Sequence, residues 1–403
     1  MPNRSAPRLL PCVLACALFA ACGEPDVEYA YAPFTGDAFP NQRKGLVLPS
    51  GEVGFTSDNG SDTVTVLALP TGQVLAQVPI GRNPVDLDGP HHLAVDRAGG
   101  AVYVALSYPA PVILPGPHAA HGASLADGFV QKLALSDLRP LGEVRVDNNP
   151  GDIVLSDDGK RLIVSHFDLA LATQPGLGVA ARRARLAVID PAQFEAEPRR
   201  VTLCVAPHGL ALSRPDGRFA YAACYGEDAL AVVDLGVQPA AVKRIALGPK
   251  ASDTGSPNYG PYAVALSPSG KSVAVSSTGS RDVRLYDVQL GAFGGPVLAT
   301  AGAPYFAAWS KDGARLWVPT QKPDALVEIE VATGTTLRSR NLGAACVRPH
   351  EVLRGAGGQL YVVCEGDHVA PGHVLVVDPV TLQPGVAVPV GVYPDRLVVM
   401  PGS

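Results

Sequence analysis

The sequence predicts an all-β fold built from a repeated four-stranded unit, and three observations lead there. Short runs of Val, Ala and Leu, bounded by Gly, Pro, Asp and Ser, recur along the chain, as strands joined by tight turns do. Long amphipathic helical periods are absent, and charged residues make up only 17% of the 403 residues. The same apolar pattern then returns again and again behind a proline, and an internal repeat of this kind dictates the architecture.

Aligned on that proline, the units read "PHHLAVDRAGGAVYVAL" from Pro90, "PGDIVLSDDGKRLIVSH" from Pro150 and "PHGLALSRPDGRFAYAAC" from Pro207. They continue with "PYAVALSPSGKSVAVSS" from Pro261, "PYFAAWSKDGARLWVPT" from Pro304 and "PHEVLRGAGGQLYVVC" from Pro349. An earlier unit, beginning "GLVLPSGEVGFTSDNGSDTVTVLALPTG" at Gly45, lacks the leading proline, and a fragment, "PDRLVVM", closes the chain from Pro394. Each full unit has an apolar strand, a tight turn of the S-x-D/S-G type, written as A-G-G in the units from Pro90 and Pro349, and a second strand ending in small polar residues. A third strand of the "ALAVVDL" kind and a fourth complete it.

These units resemble the YVTN-type β-propeller repeat, with "SDTVTVLALPTGQVLAQVPIG" the nearest match. The resemblance covers residues 45–403 and implies four-stranded antiparallel blades arranged radially around a channel. Seven units plus one extra inner strand imply a seven-bladed β-propeller, closed by a C-terminal strand, Arg396–Met400, inside the first blade. The run Leu46–Leu48 competes for that slot.

The N-terminus reads as a targeting segment. "MPNRSAPR" is basic, "LLPCVLACALFAA" is apolar but short for a membrane span, and "FAAC" places small residues before Cys22. This resembles a bacterial lipobox. It implies a signal peptide over 1–21, lipidation of Cys22, and a tether over 22–44 in a cell-envelope lipoprotein, with the outer membrane the expected address because Gly23 follows the cysteine. Membrane attachment is then expected only through the lipid. A net charge of −5 offers no footprint for nucleic acid.

Four cysteines remain after the signal and Cys22: Cys204, Cys224, Cys346 and Cys364. An even number in an exported chain argues for disulfides, with three possible connectivities. Two stretches, "CVAPHGLAL" and "CVRPHEVLR", occupy equivalent positions in the fourth and seventh units. In propeller topology the connections that carry each pair share a face, so Cys204–Cys224 and Cys346–Cys364 are the expected bridges.

The same topology places the residues after each proline at the channel mouth: His91, His92, Asp152, His208, Tyr262, Tyr305, His350, Glu351, Asp395 and Arg396. All nine histidines map to that face, His118 and His121 within a long insertion after Tyr108 that reads as a flap. Three functions follow. The first is a binding or interaction module that receives an envelope protein or a small ligand on the histidine-rich face. The second is a periplasmic metal-dependent oxidoreductase or metal-binding protein, holding copper or zinc through His91, His92, His166, His208 and His350. The third is a hydrolase, because "CVRPHEVLRGAGGQLYVVCEGD" resembles a stretch of the propeller lactonases. That resemblance implies Arg348, His350 and Glu365 as the catalytic set, although R-P-H departs from the order P-R-H. Covalent haem is excluded, since no C-x-x-C-H occurs.

Overall fold

A computed structural model describes residues 44–82, 87–109, 121–252 and 256–402. Their strands form seven sheets in a ring. Six blades are consecutive in sequence, with inner strands Pro90–Asp96, Pro150–Leu155, Pro207–Leu212 and Pro261–Leu266, the split pair Ala303–Pro304 and Ala308–Trp309, and Pro349–Arg354. The first blade takes its inner strand, Pro394–Pro401, from the C-terminus and its other three from Glu52–Asp58, Thr63–Leu69 and Gln73–Pro79. Both ends of the ring thus meet in one sheet, as expected. Leu46 is not in a strand; its N–H donates to the Ser136 carbonyl at 2.6 Å.

The burial pattern follows from stacking the sheets around a ring. Second strands such as Ala101–Leu106 are buried throughout, because neighbouring blades cover both faces, whereas the outer strand Pro140–Val146 alternates buried and exposed. The core is therefore a set of layers between blades. Tyr103, Val130, Ile153 and Val164 fill one layer, and Cys204, Leu210, Cys224 and Ala231 fill the next. Burying each large apolar side chain contributes about 1.5–3 kcal/mol.

The two ends of the ring differ in backbone chemistry. At one end, S-x-D-G turns join first and second strands; Ser156 donates to Asp158 at 2.7 Å, and Gly159 takes the φ of +70° that the turn needs. At the other end, a left-handed residue precedes the leading proline in six blades: Gly89, Asn149, Ala206, Gly260, Arg348 and Tyr393, at φ +47° to +61°. The right-handed helical region is disfavoured before proline, so the chain enters each inner strand through this corner. Aspartates from neighbouring turns hold it. Asp62 accepts from Gly89 N–H at 2.8 Å, Asp228 from Gly260 N–H at 2.8 Å, and Asp324 from Arg348 N–H at 2.9 Å.

Both expected disulfides are present, Cys204–Cys224 and Cys346–Cys364. The signal, Cys22, the tether up to residue 43 and His118 lie outside the described residues, as does the side chain of His121. No helix among the described residues is long and apolar enough to cross a membrane.

Candidate metal centre

A register shift follows the leading proline in each inner strand that starts at Pro90, Pro150, Pro207, Pro261, Pro349 or Pro394. In the remaining blade the inner strand is interrupted outright at Tyr305–Ala307. A bulge re-aims side chains that regular pleating would send between the sheets. Here it turns His91, His92, Asp152, His208, Tyr262, His350 and Asp395 into the channel. These seven are 0% exposed. These residues were expected at the channel mouth; their burial places the rings inside the channel rather than around its rim.

Three imidazoles converge. One ring nitrogen from each of His91, His92 and His208 lies within 4.8 Å of the other two. Ring centroids are 4.4 Å apart for His91–His92, 5.4 Å for His91–His208 and 5.5 Å for His92–His208. The bonds behind the rings set their tautomers. His91 Nδ1 donates to the Pro150 carbonyl at 2.9 Å, and His92 Nδ1 to Asp152 Oδ1 at 2.8 Å. Nε2 of both rings then carries the lone pair. His92 Nε2 is buried without a hydrogen-bond partner among the described residues. Asp152 is itself fixed by the N–H groups of Ile153 and Leu210, both at 2.8 Å. His208 stacks on Tyr262 at 4.0 Å and meets the edge of Phe167 at 5.0 Å.

His350 stands beside this trio, its ring 6.2 Å from that of His92, with Nδ1 donating to the Asp395 carbonyl at 2.8 Å. His166 does not belong to it, a correction to the expected ligand set. Its Nδ1 donates to Arg185 O at 2.5 Å and its Nε2 accepts from Asp147 N–H at 3.1 Å, so the backbone uses both nitrogens. Of the expected hydrolytic set, Glu365 bonds His368 at 2.8 Å and Gln321 at 3.0 Å, and its charge also acts on Tyr262, Tyr305 and Asp395 around His350. Arg348 stands at the left-handed corner, where its guanidinium donates to Gly366 O at 3.2 Å.

Electrostatics in the plug are those of charges taken out of water. Burial, then the neighbouring His91, pushes His92 well below its ordinary pKa. Burial raises Asp152, with Arg396 opposing, and raises Asp395 well above the carboxylate range, helped by Glu365 and Asp58. Glu351 is pushed up to about 7 by burial, with Arg396 opposing. Glu351 and Arg396 pair at 3.2 Å, with the guanidinium 5.1 Å from the centre of the Phe306 ring. Together with Trp309 and Arg354 they line a cavity of about 400 Å³ that reaches the S-x-D-G turns. The ten expected residues thus line a channel along its length, rather than a single mouth.

Phe306 was missed by sequence reasoning. Its strand leaves its own sheet, so that Phe306 N–H donates to His350 O and Val352 N–H to Phe306 O, both at 3.0 Å. The only signal available was "PYFAAW", where an aromatic pair follows the proline.

The raised pKa of Glu351 carries a pH prediction. Its folded value, about 7, exceeds the unfolded value, so the folded state holds the proton longer. The associated stability is complete below the unfolded pKa and is lost as pH rises through about 7. In metal-free protein, Glu351→Gln should flatten this decline in urea-denaturation midpoints between pH 4.5 and 7.5. An unchanged pH profile would show that Glu351 is not its source.

No family model and no curated protein matches the chain significantly. Solved structures do resemble it. The periplasmic gluconolactonase of Pseudomonas aeruginosa has 18% identity and a TM-score of 0.62, over 87% of this chain and 98% of that one. A candidate 6-phosphogluconolactonase of Bacteroides uniformis has 14% identity and a TM-score of 0.64, over 87% and 100%. Apo AztD of Citrobacter koseri has 14% identity and a TM-score of 0.54, over 89% and 99%. At such identities the likeness concerns the fold: this chain is a seven-bladed β-propeller of the architecture shared by these proteins.

Proposed function

We propose that this chain is a cell-envelope propeller, exported and lipid-anchored through Cys22, that binds one divalent transition-metal ion, zinc or copper, in its central channel. The convergence of His91, His92 and His208 within 4.8 Å carries this reading. Small side-chain rotations bring three such nitrogens to the roughly 2.0–2.1 Å of zinc–imidazole bonds. Nδ1–H bonds to Pro150 O and Asp152 orient two of the rings from behind, as partners of metal-bound histidines do. Three protein ligands leave a position for an exchangeable ligand. Elemental analysis of protein matured in a periplasm tests the reading: about one zinc or copper per chain is expected, and absence of both metals from protein that remains metal-free after incubation with each would refute it.

A second reading, lactonase-type hydrolysis, is supported by the fold likeness to a periplasmic gluconolactonase and by the His368–Glu365 pair, with the Arg348 guanidinium on the carbonyl of the adjacent Gly366. His368, rather than His350, would be its base. Hydrolysis of a sugar lactone by metal-free protein, lost in His368→Ala, is its expected result; wild-type turnover no faster than buffer would reject it.

A further inference from the structure

The duplicated disulfide is not a duplicated environment. In the fourth blade, the cross-strand neighbour of Cys224 is Ala229; in the seventh, the neighbour of Cys364 is His373. Directly opposed residues of an antiparallel pair project to the same side of the sheet, which brings the imidazole to the sulfurs. One ring nitrogen of His373 and the sulfurs of Cys346 and Cys364 all lie within 4.8 Å of one another. Cover differs too. Cys204 is flanked by Leu203 and Val205, both 0% exposed, whereas Cys346 lies between exposed Ala345 and Val347. The seventh-blade cysteines are themselves buried among Leu326, Val352 and Leu375, but the segment that carries Cys346 is exposed on both sides of it.

We infer that Cys346–Cys364 is a reducible disulfide whose dithiol form, together with His373, is a second metal site, specific for a thiophilic ion such as zinc. The reductant is a dithiol. Its thiolate attacks one protein sulfur, the other protein sulfur leaves as thiolate, and the reductant's second thiolate resolves the mixed disulfide. Two electrons pass to the protein, which gains two thiols, while the reductant becomes its own disulfide. Zinc then displaces the two thiol protons and is held by two thiolates and an imidazole, with water in the fourth position. His373 is oriented for this. Its Nε2 donates to Ala345 O at 2.8 Å, so the tautomer leaves the Nδ1 lone pair as the ligand, an arrangement common at metal-bound histidines. The half-exposed ring also gives the ion a path in. Nothing in this site depends on the channel trio.

Graded dithiothreitol followed by alkylation and peptide mapping tests the redox half. Cys346 and Cys364 should be labelled at a reductant concentration roughly ten-fold below that needed for Cys204 and Cys224. Cobalt(II), added to the selectively reduced protein in a His208→Ala background, tests the metal half. A thiolate-to-cobalt charge-transfer band is expected, weakened at least roughly ten-fold in affinity by His373→Ala and retained in His373→Asp, which restores a donor. Simultaneous reduction of both bridges, absence of the sulfur band, or a band indifferent to His373→Ala would each overturn the proposal.

Discussion

Replacing His208 with alanine should lower affinity for zinc by roughly 100-fold or more, with the propeller still folded. The argument is geometric. His208 comes from the blade that begins at Pro207, whereas His91 and His92 share one strand, so His208 closes the trio across the channel. The two remaining nitrogens offer a bidentate site at best. The ring also meets Tyr262, Phe167 and Phe306, and loss of these contacts lowers stability without altering ring closure, which is secured by the first blade. Asp152→Asn is the milder companion. It leaves His92 in place but replaces the carboxylate that fixes its tautomer, and outer-shell losses of this type cost about 10–100-fold in affinity. Competition with a chromophoric chelator measures both. Equal affinity in wild type and His208→Ala would remove the trio from the metal site.

The largest stability effect is expected at Cys204–Cys224. Its 20-residue separation gives the bridge about 3 kcal/mol under the chain-entropy model. Both sulfurs also sit in a fully buried layer with Leu186, Leu210 and Ala231, so Cys204→Ala/Cys224→Ala leaves unfilled space as well as a longer free loop. The urea midpoint should fall clearly below that of the wild type. Metal affinity at the channel should change little, because the bridge lies in the layer between blades rather than in the channel. An unchanged midpoint would mean that the bridge adds no net stability.

The repeat made the ring legible because each blade obeys local rules. The leading proline, together with the S-x-D-G-type turn where it occurs, places most inner strands without any long-range information. The closing strand was legible for the same reason, since "PDRLVVM" is a first strand without its partners. What the sequence concealed was direction. A one-residue bulge after proline sends His91 and His92 inward, and two-residue alternation alone gives no sign of the extra residue. Burial was concealed with it: residues expected at the channel mouth are fully buried inside it. His166 shows the converse: its place in the repeat resembles a ligand's, but Arg185 O and Asp147 N–H had already occupied its nitrogens. Glu365 and His368, three residues apart, could have been paired from spacing alone; the lactonase resemblance drew attention to His350 instead.

The most direct test of the channel as a metal centre is X-ray absorption on zinc- or copper-loaded protein with both disulfides intact. Nitrogen scatterers near 2.0–2.1 Å, accompanied by the outer-shell signature of about three imidazoles and reduced to about two in His208→Ala, are the predicted result. A first shell of oxygen alone, or one containing sulfur near 2.3 Å, would contradict it.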